Sequence, residues 1–313
     1  MTRGAPPGSD PGAAQSAVRN AVLVGFLCNA VWGATSALFI ALNRLGASPW
    51  EIAAERALWS APCAALVVLL ARQGPEVVRI LRSPRIVALL AVSAFSIGSG
   101  WIVYVWAVNN GRNIESSLGY FISPLMNMAA GWLLFRERID GFGAAAVVLA
   151  VIGVGVQALA LGHPPFLALF LATTFWVYSL VRRQVAVAAV PGLLIETCLL
   201  AVPAAAIEMW LVWTGQARFG HGLTLSLLLP WVGPATAGPL AIYAWTARRL
   251  PFSVLGFLQF VSPTMGFLVG LAVGERLSLT GLLSFLFIWS GAAVFTLGAW
   301  RAGHRIQADP SAA

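Results

Sequence analysis

The chain has 313 residues, of which 59% are hydrophobic and 10% charged, with a mean hydropathy of +0.84. Soluble domains carry about a quarter charged residues, so this chain has too little polar surface to be a large water-soluble α-protein. Its net charge of +8 rests on arginine alone, and the absence of lysine excludes a phosphate-loop lysine and a lysine Schiff base.

Residues 1–20 are rich in Gly, Pro, Ala and Ser and read as a disordered cytoplasmic tail. Ten apolar segments follow, at 21–42, 51–71, 86–109, 116–135, 141–161, 164–181, 190–213, 226–247, 252–274 and 279–300. Residues 301–313 form a second cytoplasmic tail. Each segment is near the ~20 residues that cross a bilayer as a helix. Hydrocarbon forces every backbone group to be satisfied within its own segment or in a closed barrel, and runs this long and non-alternating exclude barrel strands. The first segment is too long for a signal-peptide core and no cleavage site follows it, so it is read as an attached membrane helix. Cys28, Cys63 and Cys198 lie in apolar runs without metal spacing, and His163, His221 and His304 lie in loops or the tail. Neither a metal site nor a cofactor is expected.

Arginine placement orients the chain. With the N-terminus inside, the inner loops and tails hold fourteen arginines and the outer loops hold Arg44, Arg112, Arg218 and Arg276. That bias places both termini in the cytoplasm. Removing the segment that opens on Pro164-Pro165 would move the later pairs, Arg182-Arg183 and Arg248-Arg249, to the outside. It is therefore kept. Basic residues spaced between apolar spans also argue against a nucleic-acid partner and for membrane lipid.

Part of the chain is written twice. Tyr104-Val105-Trp106 recurs as Tyr243-Ala244-Trp245, Ser123-Pro124 as Ser262-Pro263, Gly131 as Gly270, and Glu137-Arg138, one position short, as Glu275-Arg276. The copies lie five segments apart. An odd separation turns them opposite ways across the bilayer. The expected fold is thus an all-α membrane protein of ten transmembrane helices in two inverted five-helix repeats, residues 21–161 and 164–300.

Asn29-Ala30-Val31-Trp32-Gly33, Glu55-Arg56 with Trp59-Ser60, Trp106-Ala107-Val108-Asn109-Asn110-Gly111-Arg112 and Ser117-Leu118-Gly119-Tyr120-Phe121-Ile122-Ser123-Pro124 resemble the EamA-type drug/metabolite transporters, the RarD subgroup most of all. Arg248-Arg249-Leu250-Pro251 and Leu255-Gly256-Phe257-Leu258-Gln259 extend the resemblance into the second half, so that it runs from about residue 20 to 300. It implies ten helices in two halves and a permease of the bacterial cytoplasmic (inner) membrane.

Several residues are candidates for the pathway. Pro124 and Pro263 each remove the hydrogen bond to the carbonyl four residues back, at Tyr120 and Gln259. Freed carbonyls at matching places in two halves suit a midplane site between broken helices; a packing kink is the alternative. Glu55, Arg56 and Glu196 are ionisable groups inside spans, which tend to face a bundle interior or water. Neighbours on a helix diverge by about 100°, so Glu55 and Arg56 need separate partners. Either carboxylate can serve as a proton-coupling group, as a partner for a charged solute, or in a fixed interhelical ion pair. Glu208, close to Trp210 and Trp213, reads as interfacial. Asn29, Trp32, Trp106, Asn109, Asn127, Tyr178 and Tyr243 complete the lining candidates, each with packing as its alternative role. Gly266, Gly270 and Gly274 form a small-residue stripe suited to close helix contact within one protomer or in a homodimer.

Together these features point to a non-enzymatic secondary transporter of a small organic solute, with protons as the candidate coupling ion. A sensor or channel-like protein on the same fold is the rival. An intramembrane enzyme would need a catalytic set such as HExxH or GxSxG, and neither motif occurs.

Overall fold

A computed structural model describes residues 11–109, 112–137, 140–160, 162–272 and 279–308, with some side chains inside these ranges not described. Among the described residues the regular secondary structure is helical. α1 spans Pro11–Arg44, α2 Pro49–Leu70, α3 Gly74–Leu81, α4 Pro84–Asn109, α5 Asn113–Leu133, α6 Gly141–Ala160, α7 Phe166–Gln184 and α8 Ala189–Trp213. α9 (Leu223–Leu228) and a 3-10 turn (Leu229–Trp231) lead into α10 (Val232–Ala247), followed by α11 Phe252–Gln259, α12 Val261–Ala272 and α13 Leu279–Ala308.

Among the described residues seven helices are long and apolar enough to cross a membrane: α1, α2, α4, α6, α7, α8 and the unit from Leu223 to Ala247. The span retained on arginine placement is among them as α7. α5, α11 with α12, and α13 occupy the other three expected segments; Val254–Met265 and Leu279–Phe295 are apolar but shorter. Large apolar side chains face outward along many of these helices, among them Leu69, Leu159, Phe166, Val202 and Trp213. An apolar surface this extensive is what lipid contact requires.

Local chemistry sets several boundaries. Ser48 caps α2 by accepting from Glu51 N at 3.1 Å, with Pro49 in the first turn. Asp140 caps α6 through Gly143 N at 2.8 Å. α1 begins at Pro11 and not at 21, so part of the expected tail is helical; Ala13, Ala14 and Ala17 favour helix and Pro11 suits its first turn. α13 likewise runs on to Ala308. α3, unforeseen, occupies the arginine-rich connection between α2 and α4. On it Glu76 accepts from Arg79 Nε at 2.8 Å, and that guanidinium holds the Glu76 carboxyl below its ordinary range.

The two repeated prolines act differently. α5 continues through Pro124. In the second half the helix stops at Gln259 and restarts at Val261, with Phe260 N bonded to Phe257 O at 3.2 Å. Pro263 cannot donate to Gln259 O, and the break falls at that carbonyl.

The main packing partners are α6 with α13, α2 with α8, α5 with α7, α4 with α7, α1 with α12, α10 with α2 and α11 with α5. Glycines allow the closest approaches. A Cβ on Gly153 would lie 2.8 Å from Ser284 O, and one on Gly291 would lie 2.7 Å from Ala146 O. From 153 to 291 and from 146 to 284 the offset is the same 138 residues, so α6 and α13 meet reciprocally. Gly256 brings α11 against α5, where a Cβ would lie 2.7 Å from Pro124 O. A Gly153→Val substitution is expected to force α6 from α13 and cost about 1–3 kcal/mol, read as a lowered unfolding temperature in detergent. Unchanged unfolding would show that the contact is not tight. Gly266 and Gly270 lie on α12 and Gly274 lies outside the described residues, so the expected stripe is not complete among them.

Candidate functional site

The largest buried cluster collects side chains from α2, α4, α5, α7, α8, α10 and α11 around Tyr178 and Tyr243, with Trp32 of α1 packed against it. Trp32 lies 5.7 Å from Phe175 and 6.2 Å from Tyr243 between ring centroids. Tyr178 stacks on Tyr243 at 6.1 Å, and Phe175 lies 5.3 Å from Tyr243. Offset and edge contacts at these distances suit aromatic quadrupoles.

A polar chain crosses this apolar interior. Asn127 Nδ2 on α5 donates to Gln259 Oε1 on α11 at 2.6 Å. Gln259 Nε2 donates to the Tyr243 hydroxyl on α10 at 3.1 Å. Tyr243 O–H donates to Ser179 Oγ on α7 at 2.7 Å, and Ser179 O–H donates to Phe175 O at 2.8 Å. Every donation runs the same way, from α5 to α7. Gln259 takes part from the last turn of α11, beside the break set by Pro263. Asn127 Oδ1 and the Tyr178 hydroxyl, both buried, have no hydrogen-bond partner among the described residues. Buried polar atoms are nearly always satisfied, so each such atom calls for an explanation.

Glu196 lies next to this cluster, on α8. It accepts from Ser93 O–H of α4 at 2.6 Å and faces Arg182 Nη1 of α7 at 3.8 Å. Both members of the pair are 2% exposed. Arg182 Nη2 also donates to Ala189 O at 2.8 Å. Gly192 leaves the room for this guanidinium, since a Cβ there would collide with Arg182 Nη1. Arg182, an inner-loop arginine by its place in the sequence, is buried in the last turn of α7. Its neighbour Arg183 pairs with Glu137 at 3.4 Å and donates to Leu250 O at 2.8 Å.

Toward the other end of α2, Glu55 and Arg56 point to different surroundings, as their adjacency requires. Glu55 is buried with Trp59 one turn away and Glu51 and Glu208 near enough to interact with it. Glu208, near the end of α8, is partly exposed. Glu51 accepts from the backbone N–H groups of Arg218 and Phe219, the latter at 2.7 Å. Arg56, 5% exposed, donates from Nε to Thr236 Oγ1 of α10 at 3.1 Å. Its guanidinium carbon lies 4.4 Å from the Trp101 ring and 4.8 Å from Phe39. Tyr104 and Tyr120, whose rings are 5.5 Å apart, stand close enough to interact with it.

Asn127, Tyr178, Tyr243 and Gln259 are thus brought together with Trp32, while Glu55, Arg56 and the Glu196–Arg182 pair each stand apart from that chain. Pro124 contributes its carbonyl to the α5–α11 contact. Asn29 is buried but bonds Gly25 O of its own helix at 2.8 Å, so its amide is spent locally. Trp106 is 41% exposed, its ring centroid lies 5.7 Å from the Arg112 guanidinium, and it is not part of the cluster. The side chain of Asn109 lies outside the described residues. Ser93, Phe175, Ser179, Arg182 and Thr236 escaped sequence reasoning. Only Arg182 carried a usable signal: a four-residue link joins α7 to α8, so residues flanking it are bound to meet.

The model of the EamA-like transporter family matches residues 19–158, from α1 through α6. An uncharacterized transporter of Pseudomonas aeruginosa is 38% identical over 295 residues, covering 92% of this chain and 97% of its own. The chain belongs to the EamA-like transporter family. Protein RarD of Escherichia coli is 37% identical over 284 residues, with 90% of this chain and 95% of that protein covered. An uncharacterized transporter of Bacillus subtilis is 33% identical over 270 residues. One solved crystal structure, 20% identical, superposes with a TM-score of 0.66 over 89% of this chain and 98% of the other, which establishes likeness of fold. This EamA-family chain is therefore a multi-pass membrane protein of a transporter family, and RarD proteins are its homologues.

Proposed function

We propose that this protein is a secondary transporter that moves a small organic solute across the cytoplasmic membrane of a bacterium by alternating access. Its ten spans form two inverted five-helix halves with both termini in the cytoplasm. The observation that carries the reading is the buried polar chain Asn127–Gln259–Tyr243–Ser179. It joins both halves at a broken helix, inside an aromatic enclosure, and leaves one buried acceptor, Asn127 Oδ1, uncommitted among the described residues. Discontinuous helices at a repeat interface are where many carriers bind their cargo. The two-fold arrangement is supported by the packing: exchanging the halves turns α5–α7 into α12–α1 and α4–α7 into α10–α1, and leaves α6–α13 and α2–α8 as self-pairs. The arginine distribution supports the orientation.

Thermal-shift screening of the purified protein against a metabolite panel supplies a solute, because a ligand stabilises the native state by mass action. Counterflow of that solute in proteoliposomes then tests the mechanism. A carrier exchanges labelled solute against its gradient; a sensor moves nothing, and that result would remove the transporter reading.

Protons are the proposed coupling ion and Glu55 the proposed carrier, on the grounds that buried carboxylates within spans commonly mark proton relays. Glu55→Gln is expected to reduce gradient-driven transport about tenfold or more, on the scale of one lost proton-transfer group, with an unchanged yield of folded protein. Transport that survives both this substitution and collapse of the proton gradient assigns Glu55 to packing.

A further inference from the structure

We propose that Arg56 binds an acidic group of the transported solute, which makes the solute an aromatic or similarly flat organic carboxylate. The inference rests on the transporter reading above and adds the chemical class of the cargo. A guanidinium keeps its charge in proteins, and removing a charge from water is costly unless it is paired. Arg56 is 5% exposed, yet no carboxylate lies in ion-pair reach among the described residues. Its protein contacts are the Nε bond to Thr236 Oγ1 and the faces of Trp101 and Phe39. Cation–π contacts offset part of the desolvation cost but supply no counter-charge.

The remaining donors have a definite shape. With Nε committed to α10, the Nη1–Nη2 edge donates to no partner among the described residues, and that edge presents two parallel N–H groups, which match the two oxygens of a carboxylate. The rings of Trp101 and Phe39, against which the guanidinium lies, supply flat apolar walls.

Comparison with the other half strengthens the point. Exchange of the proposed halves sets α2 against α8 and α10 against α4. Arg56 with Thr236 links α2 to α10, and Glu196 with Ser93 links α8 to α4. The carboxylate of the second site is matched by Arg182. The guanidinium of the first has no such match, and an anionic cargo would provide it.

The test follows thermal unfolding of the full-length purified protein with benzoate and indole-3-acetate, each against its uncharged amide. The acids are expected to raise the unfolding temperature and the amides to leave it unchanged. In Arg56→Gln the acid response is expected to weaken about tenfold or more, the scale of hydrogen bonds to a charged group. Arg56→Lys, which keeps the charge but loses the fork, is expected to fall between. Without ligand, Arg56→Gln is expected to unfold no earlier than the wild type, because it removes a charge that lacks a partner. Equal responses to acid and amide, including none to either, overturn the proposal, as does an acid response that persists in Arg56→Gln. If Arg56→Gln does not fold, an unweakened acid response in Arg56→Lys overturns it. An acid that binds without counterflow removes the transporter reading alone, whereas counterflow of an uncharged solute without acid-selective binding removes the Arg56 reading alone.

Discussion

Arg182→Gln is expected to destabilise the protein by about 3–5 kcal/mol, the range found when one member of a buried ion pair is removed. Arg182 and Glu196 are both 2% exposed and 3.8 Å apart, so loss of the guanidinium strands a carboxylate whose remaining contact is Ser93. The same change breaks the bond to Ala189 O that ties α7 to the start of α8. Glu196→Gln is expected to cost a similar amount, since it strands the arginine. The double substitution Arg182→Met with Glu196→Leu is expected to recover most of the loss, because taking both charges away also removes their desolvation. Thermal unfolding of the four proteins in detergent measures this. Single variants within about 0.5 kcal/mol of the wild type, the range of an ordinary surface substitution, would show that the pair is not held in a buried setting. A Glu196→Gln protein that folds in wild-type amounts but no longer transports would make Glu196 a coupling group.

Gln259→Leu is expected to reduce counterflow at least about tenfold while most of the protein still folds. Gln259 both accepts from Asn127 and donates to Tyr243, so one substitution interrupts the polar chain at two bonds. Each buried group left without its partner costs about 1–3 kcal/mol. That strain falls at the α11–α12 break, where the helix has no continuous ladder to resist movement. Asn29→Ser provides the contrast. The Asn29 amide bonds Gly25 O within α1, and counterflow is expected to change little. Equal losses in the two variants would assign both to general packing and remove the polar chain from the transport site.

Much of the bundle was legible in the primary structure. Hydropathy and arginine placement both pointed to the segment that became α7, since crossing a bilayer demands a minimum apolar length and basic residues resist translocation. One residue of the repeat reached the centre: Tyr243 stands with Gln259, whose carbonyl is the one freed by Pro263. The symmetry of the prolines did not carry over, because α5 continues through Pro124 while its counterpart breaks. Whether a missing hydrogen bond bends a helix depends on what packs against it, and Pro124 O faces Gly256 of α11.

By itself, the sequence determined the class of the molecule, because composition and the length of apolar runs settle which solvent a chain can tolerate. It also marked the ionisable groups that needed partners. Tertiary structure alone decided which partners they have. Arg182 looked like one more loop arginine and is the counter-ion of Glu196; Asn29 looked like a lining residue and closes on its own helix. Partner choice depends on distances of a few ångströms between helices remote in sequence, and no residue pattern along a single strand of text encodes those distances.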